Sequence, residues 1–157
     1  MRGEKSVIEA LNLCLKGQLT LINQTFLHAR IAKNWGLEEL NEQAYKMSIR
    51  AMKDADDLIQ RILFLEGLPG LQALGRLRIG ESVPEMLAGD HQVFSAEQTT
   101  LASSIALLEQ QQDFVSRELL VGIQQHCEDY IDWLETQQWQ IENLGLANYL
   151  AAQLEND

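Results

Sequence analysis

The sequence predicts an all-α chain of four long helices with one long crossover and a short fifth helix at the C-terminus. Three observations carry that prediction. Apolar residues recur at helical spacing along the chain, and no strand-like alternation or internal repeat competes with them. Glycines at 67, 70, 75 and 80 gather in one stretch where no helix survives. The remaining breaks are short turns, so helices on either side of them must run antiparallel. At 157 residues the chain is expected to be one domain, residues 1–157, with room for a full core.

The first helix follows from Val7, Ile8, Leu11, Leu15, Leu19, Ile22, Phe26 and Ala29, a segment of about 30 residues and about 45 Å. Trp35-Gly36-Leu37 stops it with glycine. The second helix runs from Glu38 to Leu65. The stretch from Glu66 to Ser82 can then travel the length of that helix, at up to about 3.3 Å per residue, and deliver the third helix parallel to the second. Ser82-Val83-Pro84-Glu85 has a serine, an early proline and a glutamate three residues on, the pattern of a capped helix start. The third helix runs to about Gln110. A fourth follows with almost no break, carrying Phe114, Leu119, Ile123, Ile131 and Leu134 to a stop at Gly145. Leu146 to Ala152 form the short fifth helix, too small to stand alone and suited to a contact between subunits. This is the ferritin-like four-helix bundle with one crossover.

The second helix has two apolar stripes. Ala44, Ala51, Ala55, Leu58 and Ile62 share the inward face, while Tyr45, Ile49 and Met52 share another, turned well away from it. A helix that is apolar on two sides needs two partners. The bundle is one; the other is a second subunit or a ligand.

Net charge is −11, from 23 acids against 12 bases, which argues against nucleic acid as a partner. The N-terminus leads into no signal-type apolar core, and no run has the length of a membrane span. Cys14 and Cys127 lie far apart in helical patterns, as free thiols of a reducing compartment do, and the expected location is cytoplasmic.

Longer runs carry a resemblance. Ile22-Asn23-Gln24 and Phe26-Leu27-His28-Ala29-Arg30 are followed by Lys33-Asn34-Trp35-Gly36-Leu37, then by the run from Arg61 to Pro69. Ile131-Asp132-Trp133-Leu134-Glu135-Thr136, Gly145-Leu146 and Asn148-Tyr149-Leu150 complete the set. In this order and spacing they resemble the bacterioferritins over nearly the whole chain. The resemblance implies a hollow, iron-storing cage of twenty-four subunits with haem b at each two-fold interface and a ferric mineral inside.

The chain departs from that family at all six ligands of the oxidation centre. By resemblance, Gln18 stands for a glutamate, and Ala51 and Asp54 for a Glu-x-x-His pair. Phe94 stands for a third-helix glutamate, and Cys127 and Tyr130 for the second pair. Two iron ions need several anionic oxygens, and of these six positions only Asp54 offers a carboxylate, so no di-iron centre is expected. Two readings of the replacements stand open. Gln18, Asp54 and Tyr130 form a hydrogen-bonded cluster while Ala51, Phe94 and Cys127 fill volume; or Asp54, Cys127 and His126 rebuild a softer metal site.

Met52 matches the residue that ligates haem iron in the family. The resemblance makes it an axial ligand, one copy from each subunit, with Leu19, Ile22, Asn23, Phe26, Tyr45 and Ile49 lining the pocket. Plain dimer packing is the alternative for each. Leu68, Glu81 and Glu85 stand where the family docks a bacterioferritin-associated ferredoxin. Lys46 and Arg50 replace inner-surface residues that would help iron to move, His28 and His91 read as surface residues, and Cys14 as packing. Three functions follow: a haem-binding storage subunit without its own oxidation centre, co-assembled with a second, ferroxidase-competent subunit type; a ferroxidase with a rebuilt centre; or a shell subunit alone.

Overall fold

The stripes read from the sequence close on one core. Leu11 and Leu15 of the first helix, Ala51, Leu58 and Ile62 of the second, Phe94 and Leu101 of the third, and Leu120, Ile123 and Leu134 of the fourth are all buried. The computed structural model describes residues 1–154, with α1 (Lys5–Asn34), α2 (Glu38–Phe64), α3 (Val83–Gln110), α4 (Phe114–Leu144) and α5 (Leu146–Gln153). No helix among the described residues is long and apolar enough to cross a membrane.

Gly36 takes a φ of 79° and turns the chain out of α1, a backbone conformation open chiefly to glycine. α2 returns antiparallel. Its last helical residue is Phe64 rather than Leu65, because Glu66 adopts a φ of 63° and Gly67 N–H closes back on the Ile62 carbonyl. Polar contacts give the directions of the rest. His28 and Gln18 of α1 meet Asp90 and Glu97 of α3 respectively, so those helices are antiparallel and α3 lies parallel to α2. Arg61, late in α2, donates to Asp113 and Ser116 at the start of α4. The expected cap of α3 is present: Ser82 Oγ accepts from Glu85 N–H at 3.3 Å, and Glu85 Oε2 accepts from Glu81 N–H at 2.9 Å.

The crossover is stapled to α1 by side chains from one polar stripe. Asn12 donates to the Leu68 carbonyl and accepts from Gly70 N–H, and Thr20 Oγ1 accepts from Gly75 N–H at 2.8 Å. Gln24 pairs with both backbone groups of Arg78, at 2.9 and 2.7 Å, and also donates to Asp90. His28 Nε2 accepts from Gly80 N–H at 3.1 Å, so its ring proton sits on Nδ1 and faces Asp90 at 2.7 Å. His28 is thus 1% exposed, not the surface residue the sequence suggested, because the crossover lies directly over it. α5 is tied to its own α4 by Tyr149, whose buried hydroxyl donates to Gln137 at 2.7 Å.

Candidate functional site

Two places concentrate the expected site residues. The first is the bundle centre, where Gln18, Ala51, Asp54, Phe94, Cys127 and Tyr130 are all buried. Gln18, Asp54 and Tyr130 do not form the hydrogen-bonded cluster that one of the two readings expected of them. Gln18 Nε2 donates to Glu97 Oε2 at 2.7 Å and approaches Cys127 Sγ at 3.9 Å. Asp54 turns elsewhere: Oδ1 accepts from Arg50 at 3.2 Å and Oδ2 faces His126 Nδ1 at 2.8 Å. Tyr130 lies between the rings of Phe94 and Trp133, with centroids 4.6 and 5.2 Å away, and its hydroxyl has no partner among the described residues. The Gln18–Glu97 and Asp54–His126 pairs are thus separate, and Gln18 Oε1, like the Tyr130 hydroxyl, has no partner among the described residues.

Glu97 is the residue the sequence reading missed. It sits one helical turn beyond Phe94 and is buried. Burial pushes its carboxyl well above the ordinary glutamate range, and the hydrogen bond from Gln18 opposes this only in part. The neutral, protonated acid is the favoured form. Gly17 makes the space: a Cβ at that position would overlap the carboxyl. The pairing of a core glutamate with a helix glycine facing it was the available signal. Burial pushes the Cys14 and Cys127 thiols each up to about 12, which keeps both protonated. Cys14 packs in the core as expected, and Cys127 is buried with its sulfur near Gln18. Among the described residues no three His, Cys, Asp or Glu side chains converge closely enough to hold a metal ion.

The second place is the outer face of α1 and α2. Met52 is 50% exposed, Phe26 48% and Tyr45 40%, and Leu19, Ile22 and Ile49 lie half-buried between them. The Phe26 and Tyr45 rings are 6.4 Å apart, which sets the antiparallel register. That register lays Ile49 beside Ile22 and Met52 beside Leu19. Arg30 sits over both rings, 5.6 Å from Phe26 and 4.9 Å from Tyr45, and closes one end of the face. Asn23 is exposed at its rim. The second stripe inferred for α2 is therefore a real surface, contiguous with an apolar face of α1.

The pattern of the ferritin-like domain matches residues 8–144. The bacterial ferritin of Synechocystis is 40% identical over 159 residues, covering 98% of this chain and 99% of that one. That of Pseudomonas aeruginosa is 39% identical, covering 98% and 100%. The chain belongs to the bacterioferritin family. The bacterioferritin of Mycobacterium leprae, 37% identical over 96% of this chain and 95% of its own, carries that name outright.

Seen as a bacterioferritin, the chain keeps the remaining expected residues apart. Leu68 is 84% exposed beyond the end of α2, whereas Glu81 and Glu85 flank the start of α3. Because α3 is parallel to α2, these two places are separated by about the length of α2, about 40 Å at 1.5 Å per residue. One chain alone does not unite them. Glu85 also spends one carboxylate oxygen on capping. Lys46 and Arg50 share one face of α2, engaged with Glu42 and Asp54 respectively. His91, partly exposed, lies 3.7 Å from Glu135 of α4.

Proposed function

We propose that this chain is a haem-binding subunit of an iron-storing cage, without a ferroxidase centre of its own, assembled with a second subunit type that oxidises iron. The observation that carries the reading is Met52, a soft, neutral thioether half-exposed on an otherwise apolar face of α1 and α2. The group fits these residues. Two copies of the face, related by a two-fold axis at Met52, would enclose a flat apolar molecule, with one sulfur from each side and Phe26, Tyr45, Ile22 and Ile49 as walls. A haem bound there supplies one-electron transfer, the chemistry by which stored ferric mineral is reduced and released. Met52 lies near the middle of α2, so the same axis runs two copies of α2 antiparallel. Leu68 of one copy then falls on the side of Glu81 and Glu85 of the other, an apolar knob beside two acids that suits a small redox partner such as the associated ferredoxin.

The donor set at the bundle centre does not fit a pair of iron ions. Glu97 is biased to its neutral form, both thiols are held protonated, and Asp54 already serves Arg50 and His126. Purified chain loaded with haem is expected to show a low-spin spectrum that changes in Met52→Leu and Met52→His, and only slow ferrous oxidation. An unchanged spectrum in those variants contradicts the haem half; rapid, saturable oxidation with a di-iron intermediate contradicts the other.

A second reading draws on the 2.8 Å contact of Asp54 with His126: a rebuilt ferroxidase that uses this pair. Dioxygen uptake per iron added separates the two, since Asp54→Ala abolishes it only in the second.

A further inference from the structure

Between α1 and α3, under the crossover, lies a pocket of about 350 Å³ on a different side of α1 from Met52. It lies apart from the haem face and reaches the bundle centre only through Glu97. The polar stripe that staples the crossover runs Asn12, Thr20, Gln24, His28 at multiples of four residues, and Lys16 is the one member of that series with no crossover backbone to hold. At its level the crossover stands off, and the gap is the pocket. Arg76 and Arg78, two apart on the extended crossover, line it from above. Thr20 and Gln24 fix the backbone at Gly75 and Arg78, so the segment carrying both guanidinium groups is held in place. The floor is Glu97 beside Gly17, with Leu13 and Val93 as apolar walls.

The charge of this pocket is opposite to that of the chain. Net charge is −11 with only 12 basic residues, yet three of them line this one pocket. None of the three has an ion-pair partner among the described residues, while Lys46, Arg50, Arg61 and Arg117 all do. Glu97 is the only acid in the lining, and burial favours its neutral form. With Glu97 ionised the lining would still be net positive. Paired guanidinium groups recognise planar or tetrahedral oxyanions by forked hydrogen bonds, and a lysine adds a point charge. The volume exceeds that of a bare ion and lies near the lower end of small-molecule sites, roughly 300–1,000 Å³.

We propose that this pocket binds a small phosphorylated metabolite, with its phosphate among Lys16, Arg76 and Arg78 and its organic body against Leu13 and Val93. The site is independent of the haem reading and stands or falls by itself. The test titrates the assembled, full-length protein with glycerol 3-phosphate, inorganic phosphate and citrate by calorimetry at constant ionic strength. Saturable binding of glycerol 3-phosphate is expected, weaker by about tenfold or more in Arg76→Gln/Arg78→Gln, as the loss of charge-assisted hydrogen bonds implies. Lys16→Gln, on α1 rather than the crossover, should weaken it in the same direction. Tighter binding of the ester than of inorganic phosphate supports the organic body; equal affinity supports the phosphate site with the free ion as occupant. Absence of saturable phosphate binding, preference for citrate over both phosphates, or affinity unchanged in the double variant of unaltered helicity and assembled mass overturns the proposal.

Discussion

Gly17 and Glu97 occupy complementary volumes: the carboxyl fills the space that a side chain at position 17 would take. Gly17→Ala is therefore expected to destabilise the chain by about 1–3 kcal/mol through overpacking, despite the gain in helix propensity. In a Glu97→Ala background the sign should reverse, to a gain of about 0.5–1 kcal/mol, since only the propensity remains. Thermal midpoints of the four chains check this, and a Gly17→Ala effect of the same sign in both backgrounds contradicts it. Glu97 also links stability to pH. Its folded pKa is raised above the ordinary value of 4.5, so the folded chain keeps a proton that the unfolded chain has lost. The stability this gives is full below that ordinary value and falls as pH rises toward the folded pKa. Glu97→Gln removes the titration, and its stability relative to the unaltered chain should rise with pH by at most about 1.4 kcal/mol per pH unit. Melting at about pH 5 and about pH 8, at one protein concentration, measures the difference; a constant offset would rule the linkage out.

The helices and the crossover obey different parts of the sequence. Each helix declared itself by apolar spacing, and its ends by Gly36, the Ser82–Glu85 cap and Gly145. The crossover is legible only as a stretch unfit for helix. What holds it is the polar stripe of α1, and a polar stripe at helical spacing is indistinguishable from a solvated face until something is known to lie on it. His28 read as a surface residue for that reason. Gln24 carries the largest share, with three hydrogen bonds to Arg78 and Asp90. Gln24→Ala should cost about 1–3 kcal/mol for each buried partner left unsatisfied. Hydrogen exchange should speed up at Gly75, Arg78 and Gly80 while the amides of α4 stay protected; uniform acceleration across the bundle would mean the crossover has no separate stability.

At the scale of the whole molecule, the exposed face around Met52 is the main claim on a second subunit. Phe26 and Tyr45 stand out from it with Arg30 across their rings. A charge placed there should block the proposed two-fold contact without touching the core. Phe26→Glu/Tyr45→Glu is expected to retain helicity and lose the dimer and haem together, as read by native mass spectrometry and the visible spectrum. An unaltered assembly with haem still bound would remove this face from the interface.

Periodicity along the chain determined the four helices, their order and the two faces of α2, because the 3.6-residue repeat converts spacing directly into a face. It also marked Met52 as facing away from the core. Only the tertiary structure decided where the polar atoms go. Asp54 turned to Arg50 and His126, Gln18 to Glu97, and His28 inward beneath the crossover. Hydrogen bonds are directional and short, so their partners depend on which helices become neighbours and at what register, and that information belongs to no single segment of the chain.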